Sequence, residues 1–169
     1  IIIDNFEAKH YEKEKYLIID YFILDLVNKQ VKLYDQRIED SFIDCFKDIK
    51  KIDVTKISDN NKLITIILNN SNTAYIEIDK YNRIISYKNK TLKQITDNFL
   101  WFNETLKNID LPNVLSIGDD FLGYNKELKE LSLPKIEEIG DDFLENNKIL
   151  KEILIPNIKK IGDCFLWNN

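Results

Sequence analysis

The chain has 169 residues, of which 44% are hydrophobic and 31% are charged, which is the composition of an ordinary folded protein. Its net charge of −5, with lysines interleaved among acidic residues, argues against the basic surface that nucleic-acid binding requires. The richest apolar stretch, 16–27, contains two aspartates and is too short to span a bilayer, so we expect no membrane insertion.

Residues 16–36 have the pattern of a β-hairpin. Two segments rich in strand-forming residues, 21–26 and 30–35, flank a turn at 28–29. A stack of repeats would expose its core at its first coil unless another element covered it. We therefore expect residues 1–90 to form a β-rich N-terminal cap.

Residues 38–54 resemble a unit that recurs in the second half of the chain and is clearest at 139–155. Four apolar residues of the two segments fall at matching places. Phe42, Ile49, Ile52 and Val54 correspond to Phe143, Leu150, Ile153 and Ile155. The match predicts a divergent repeat within the cap.

The segment 55–88 is predicted to be an insertion, because the divergent repeat and the later units are not separated by a whole number of repeats. Residues 63–68 have the apolar, β-branched composition of a strand. Residues 74–79 and 83–87 are predicted to pair as a hairpin across a short turn. The insertion therefore continues the β-rich character of the cap.

Residues 91–169 repeat with a period of 22 residues. The sequence Ile-Gly-Asp-Asp-Phe-Leu begins at Ile117 and Ile139, and variants of it begin at Ile95 and Ile161. One coil cannot bury so many apolar residues alone, whereas stacked coils bury them against each other. The period therefore predicts a solenoid whose phenylalanines form one internal column. These are Phe99, Phe121, Phe143 and Phe165.

The unit around Pro134 shows how each coil is expected to be built. A Leu-x-x-Leu-x-Leu segment forms a short strand that ends at this proline, which has no N–H to donate to a ladder. Gly140 is predicted to adopt a positive φ. Asp141 is predicted to cap a short helical turn. Asn147 is expected to point inward and to satisfy backbone groups of the curve.

The order of Leu-x-x-Leu-x-Leu-Pro, Ile-Gly and a short helical turn resembles the BspA-type leucine-rich repeat family of bacterial surface proteins. The resemblance covers 91–169, although each repeat is one residue shorter than is usual in that family. It implies an α/β leucine-rich-repeat solenoid, with short parallel strands on the concave side and short helical turns on the convex side. It also implies a cell-surface or secreted location.

The function expected from this fold is that of a non-enzymatic protein-binding module within a larger bacterial surface or secreted protein. Its partner would be a protein or a surface polymer. The alternative is an intracellular leucine-rich-repeat scaffold, or the recognition arm of a multidomain protein. A secretion signal upstream would favour the first function, and an appended catalytic or nucleotide-binding domain would favour the second.

Charged residues are expected to line the concave face, in columns of one residue per coil. They are Lys107, Asp110, Lys129, Glu130, Lys151 and Glu152. One interpretation is a solvated charged surface. The other is a selective protein-binding surface, in which charge sets specificity and the rate of association.

Four aromatic residues occupy the two variable places that follow Phe-Leu in the repeat. They are Trp101, Phe102, Tyr124 and Trp167. One interpretation is local packing between coils or against the insertion. The other is a binding hot spot, because tryptophan and tyrosine contribute strongly to the binding energy of interfaces.

We expect no catalytic site, metal or cofactor. His10 is the only histidine, and no nucleophile lies near it in the sequence. Cys45 and Cys164 occupy variable places and are predicted to be free thiols without a catalytic base. The Asp-Asp pairs at 119–120 and 141–142 could suit Ca²⁺, but capping explains the first aspartate of each pair and the second is not constant.

Overall fold

The computed structural model describes residues 15–169, so the part of the predicted cap before residue 15 lies outside the described range. The chain forms a β-rich solenoid joined to antiparallel sheets. Its elements in chain order are β1 (Tyr16–Ile19), β2 (Phe22–Asp25), β3 (Gln30–Leu33), a 3₁₀ helix (Ser41–Phe46), β4 (Ile49–Lys56), β5 (Lys62–Leu68), β6 (Thr73–Ile78), β7 (Ile84–Asn89), β8 (Gln94–Ile95), β9 (Asn108–Asp110), β10 (Ser116–Ile117), β11 (Glu130–Ser132), β12 (Glu138–Ile139), β13 (Glu152–Leu154) and β14 (Lys160–Ile161).

The first three strands form an antiparallel sheet in the order β1-β2-β3. The predicted hairpin is present as β2 and β3, and β1 is an additional strand that the sequence pattern did not indicate. Asp25 closes the turn between β2 and β3, because its Oδ1 accepts hydrogen bonds from the backbone N–H groups of Val27 at 3.1 Å and Asn28 at 2.9 Å. A local carboxylate therefore sets the turn.

The strands β4 to β7 form an antiparallel meander, and β7 then pairs in parallel with β9. In that parallel pair Ser86 is opposite Asn108 and Tyr87 is opposite Ile109, which is a separation of one repeat. The last strand of the meander therefore also occupies the strand position of a repeat. The sequence pattern conceals this role, because the polar Asn89 stands where the next unit has Leu111.

The repeats stack in parallel and in register. The strands β8, β10, β12 and β14 form one ladder, and β11 and β13 form a second. In the first ladder Ile95, Ile117, Ile139 and Ile161 are successive partners. Each pairing joins residues one period apart, so the predicted solenoid is confirmed.

The predicted phenylalanine column is also confirmed. The ring centroids of Phe99 and Phe121 are 5.5 Å apart, those of Phe121 and Phe143 are 5.3 Å apart, and those of Phe143 and Phe165 are 5.6 Å apart. The rings are stacked, with interplanar angles of 18°, 9° and 7°. Phe42 of the 3₁₀ helix extends the column, with its centroid 5.5 Å from Phe99. The helix thus covers the first coil with its own aromatic ring.

The predicted helical turns are not confirmed, and the α/β class that depends on them is not confirmed either. Among residues 15–169 the only helix is the 3₁₀ helix Ser41–Phe46. The segment after each glycine instead alternates between residues with positive and negative φ. Asp120, Leu122 and Tyr124 have φ of 56°, 52° and 61°. The two coils that follow share this geometry at all three positions, and the coil that precedes shares it at Asn98 and Leu100.

The alternating backbone explains why no helix forms. The N–H groups of Asp120 and Tyr124 donate to the coil that follows, whereas the N–H of Leu122 donates to Phe99 in the coil that precedes. Every second peptide group of the turn is thus directed in alternation along and against the solenoid axis. Each turn satisfies its backbone through both neighbouring coils, whereas a helix would satisfy it internally.

The aspartates after the glycines do not cap helices, contrary to the prediction. The Oδ1 atom of Asp119 accepts a hydrogen bond from the backbone N–H of Asp141 at 2.7 Å. The same contact links Asp97 to Asp119 at 2.9 Å and Asp141 to Asp163 at 2.7 Å. These side chains therefore form a ladder that ties each coil to the next.

The glycines do not adopt a positive φ, and that prediction is wrong. A Cβ atom on Gly140 would lie 2.3 Å from Oδ1 of Asp119 and 2.6 Å from the backbone carbon of Gly118. These distances are shorter than any ordinary van der Waals contact. Glycine is therefore needed because neighbouring coils approach closely at this point, where the aspartate ladder crosses.

The prediction for the inward asparagines is confirmed in full at Asn125, whereas Asn147 is buried and donates to backbone carbonyl groups but its Oδ1 has no partner. Asn125 is buried, and its Oδ1 accepts hydrogen bonds from the N–H groups of Glu127 at 3.0 Å and Leu128 at 2.8 Å. Its Nδ2 donates to the carbonyl groups of Asn103 at 3.3 Å and Leu106 at 3.1 Å. One side chain thus satisfies backbone groups of two coils.

Asp40 joins the N-terminal sheet, the 3₁₀ helix and the first coil. It is 4% exposed, and its Oδ2 accepts a hydrogen bond from the hydroxyl of Tyr21 at 2.5 Å. Its Oδ1 accepts from the N–H groups of Phe42 at 2.8 Å and Leu100 at 3.0 Å. Burial raises the pKa of this carboxyl to about 6, and the three hydrogen bonds oppose the shift only in part.

We expect the stabilising effect of Asp40 to depend on pH. The pKa of Asp40 is higher in the folded state than in the unfolded state, so the folded state binds the proton more tightly. The stabilisation that protonated Asp40 contributes is therefore complete below about pH 4 and is lost as the pH rises through about 6. The free energy of unfolding of the wild type relative to Asp40→Asn should therefore decrease between these pH values. Urea titrations of both proteins measure this difference, and a difference that is constant with pH would contradict the assignment.

Candidate functional site

A shallow groove runs across the outer side of the strands β9, β11 and β13. Its volume is about 600 Å³. It lies where β9 ends one hydrogen-bonded sheet and β11 begins another. Its charged and polar lining comes from successive coils: Lys107, Asn108, Glu127, Lys129, Glu130, Ser132 and Glu152. Leu154, which is 52% exposed, adds an apolar contact at one end.

The groove brings together four of the six charged residues predicted for the concave face. They are Lys107, Lys129, Glu130 and Glu152. The other two lie beside the groove without lining it. Asp110 is half-buried at the end of β9, opposite Lys88 of β7, and Lys151 is exposed immediately before β13.

The register of the strands places like charges side by side in the groove. Glu130 and Glu152 are direct partners in the β11-β13 ladder. The backbone N–H of Lys151 donates to the carbonyl of Lys129 at 2.8 Å, so these lysines are also neighbours along the stack. Adjacent like charges repel, so this arrangement is unfavourable in the free protein.

Within residues 15–169, none of the six predicted residues forms an ion pair. Elsewhere the coils do form such pairs: Glu104 with Lys126 at 2.8 Å, and Glu137 with Lys159 at 2.9 Å. The groove thus presents charges of both signs whose partners are not supplied by the described chain.

Three of the four predicted aromatic residues form a cluster on the side of the turns. Trp101 lies 4.4 Å from Phe102 and 6.1 Å from Tyr124, measured between ring centroids. Phe102 is 43% exposed and Tyr124 is 44% exposed. Trp167 stands in the same repeat position as Trp101, three coils later, and it is not part of the cluster. It is 58% exposed.

Sequence reasoning did not assign two residues that complete this cluster. The ring of Tyr21 makes an edge contact with the ring of Phe102, with their centroids 6.2 Å apart. The two residues are separated by 80 others, and no sequence pattern links them. The hydroxyl of Tyr124 donates a hydrogen bond to Oε1 of Glu145 at 3.3 Å. Glu145 occupies the repeat position of Trp101, two coils later, so the 22-residue period was the signal that could have placed it.

The thiols offer no activated nucleophile. Burial raises the pKa of Cys45 to about 12, so this thiol is protonated at neutral pH. Loss of solvation, together with the charge of Asp142, also raises the pKa of the exposed Cys164. Nucleophilic catalysis needs the opposite shift. His10, the remaining candidate, lies outside the described residues.

The acidic pairs do not assemble a metal site in the described chain. Across residues 15–169, no group of three or more His, Cys, Asp or Glu side chains is placed to hold a metal ion. No helix in the same range is long and apolar enough to cross a membrane. Comparison of the chain with protein-family models, with curated proteins and with solved structures found no match.

Proposed function

We propose that this chain is a non-enzymatic leucine-rich-repeat module that binds a protein or a surface polymer through the groove on β9, β11 and β13. The observation that carries the proposal is the set of exposed groove charges that have no ion-pair partner among the described residues. A complementary ligand would supply those partners and relieve the repulsion between Glu130 and Glu152.

The leucine-rich-repeat assignment rests on the strands and not on the turns. Short parallel strands in register, each ended by proline, support it. The alternating turns depart from the helical turns of the BspA-type family that the sequence resembles. In the proposed context the module belongs to a larger bacterial surface or secreted protein.

The charge pattern favours a protein ligand over a polymer of uniform charge. Lys107 and Lys129 would pair with acidic groups of a ligand, and Glu130 and Glu152 would pair with basic groups of the same ligand. A polypeptide can carry charges of both signs. Leu154 offers an apolar contact that a polypeptide can also fill. Such complementarity sets specificity and the rate of encounter more than it sets affinity.

The proposal is tested by exchanging charges inside and outside the groove. The double variant Lys129→Glu with Glu152→Lys keeps the net charge and reverses one charge of each sign in the groove. The matched control, Glu137→Lys with Lys159→Glu, exchanges an existing ion pair outside the groove. We expect a partner captured by the wild type to bind the groove variant at least about tenfold more weakly and the control equally well.

Binding that survives this charge exchange, or that is lost equally in the control, would contradict the proposal. The partner is captured from a cell extract, and digesting that extract with a protease before capture separates a protein ligand from a polymer. We expect digestion to abolish capture.

A further inference from the structure

A second surface of the molecule carries exposed aromatic rings. We call Trp101, Phe102 and Tyr124 the aromatic patch. The indole of Trp101 lies against Gly123 of the next coil, since a Cβ on Gly123 would lie only 2.5 Å from its Cδ1. The indole also packs against Phe102 and Tyr124. The patch is therefore a packed aromatic cluster with two half-exposed rings.

The surroundings of the aromatic patch are acidic. Asp120 and Asp142 stand at the same position of adjacent coils, and Glu145 accepts a hydrogen bond from Tyr124. Glu145 is only 8% exposed, and both of its hydrogen bonds, from Tyr124 and Asn146, reach Oε1. Within residues 15–169, none of these three carboxylates forms an ion pair.

The neighbouring carboxylates act on each other and on the patch. Burial, and then the charge of Asp142, raises the pKa of Asp120. The charge of Glu145 is the main cause that raises the pKa of the Tyr124 hydroxyl. The shift at Tyr124 has the sign that a neighbouring negative charge produces. A cation that docks here would gain the attraction of these carboxylates as well as contact with the rings.

We propose that the aromatic patch binds an arginine side chain of a basic protein segment, with Asp120, Asp142 and Glu145 supplying the counter-charge. A guanidinium is planar and weakly hydrated, so it can stack on Tyr124 or Phe102 while its N–H groups reach a carboxylate. Lysine lacks the flat face and the fork of donors. This site is separate from the groove and does not depend on the function proposed for it.

Tryptophan fluorescence can test this proposal directly. The chain has two tryptophans, and Trp167→Phe leaves Trp101 as the only reporter. The probe is a short glycine peptide with two arginines, compared with the same peptide carrying lysine or the uncharged isostere citrulline. We expect a saturable change with arginine, binding several-fold weaker with lysine and no saturable change with citrulline. Equal responses to arginine and citrulline, or no response to arginine, would overturn the proposal.

Variants then locate the bound peptide. We expect Tyr124→Ala and Asp142→Asn each to weaken the arginine peptide about tenfold, and Tyr124→Phe to retain most of the binding, since it keeps the ring. The matched controls are Tyr75→Ala, which removes a ring 40% exposed on β6, and Glu137→Gln, which removes a carboxylate outside both the patch and the groove. Both should bind as the parent does. Weakening by Glu137→Gln, or full binding by Tyr124→Ala, would overturn the assignment.

Discussion

Replacing Phe121 with alanine is expected to lower the free energy of unfolding by about 3–5 kcal/mol. The ring is fully buried and stacks on Phe99 on one side and on Phe143 on the other. Its removal leaves a cavity between two coils that cannot collapse, because backbone hydrogen bonds fix the spacing of the coils. Equilibrium urea unfolding measures the change.

The matched control is Phe165→Ala at the last described coil. Phe165 stacks on Phe143 alone and is half-buried, so its loss should cost clearly less than the loss of Phe121. Equal costs for the two substitutions would mean that position within the stack has no effect. A cost below about 1 kcal/mol for Phe121→Ala would mean that the column is not the core of the coils.

Substituting Gly140 is expected to cost about 3 kcal/mol or more when the new side chain is asparagine, and less when it is alanine. Any Cβ at this position meets the aspartate ladder of the preceding coil, and a larger side chain must displace more of it. Which of the two variants is more stable distinguishes two explanations for this glycine. A glycine needed for positive φ would tolerate asparagine better than alanine, because asparagine enters that region more readily.

Gly123→Ala is the control in which the added Cβ meets a side chain and not the backbone of the neighbouring coil. Its Cβ would meet only the side chain of Trp101, which can rotate away, so the loss of stability should be smaller and accompanied by a change in tryptophan fluorescence. The same unfolding experiment is used for all three variants. Asparagine tolerated as well as alanine at position 140 would contradict the close-approach explanation.

The period of the sequence was enough to predict the stacking. Apolar residues at a fixed spacing can be buried only if successive coils align, so the phenylalanine column and the inward asparagines followed directly. The turns could not be predicted in the same way. Asp-Asp-Phe-Leu is locally compatible with a capped helical turn, and the alternating φ of Asp120, Leu122 and Tyr124 is stabilised only by neighbouring coils. Local preference does not contain that information.

The candidate sites could likewise be predicted from the sequence only in part. Lys107, Lys129, Glu130 and Glu152 could be placed in one groove because strand residues alternate sides and coils repeat. The contribution of Tyr21 to the aromatic patch could not be foreseen, since it depends on how the N-terminal sheet docks on the first coil through Asp40. The glycines at 118, 140 and 162 recur with the period, but the packed structure is needed to show that close contact between coils, and not a positive φ, requires them.

Unfolding of two deletion variants tests most directly whether the coils are interchangeable units stacked in register. One variant lacks residues 118–139, a whole repeat, so that Ile117 is followed by Gly140 in the same register. The other lacks residues 118–128, half a repeat. The solenoid predicts that the first variant keeps a cooperative urea transition and the β-rich circular dichroism of the parent, whereas the second loses both. A whole-repeat deletion that unfolds the protein as completely as the half-repeat deletion would contradict the stacked architecture.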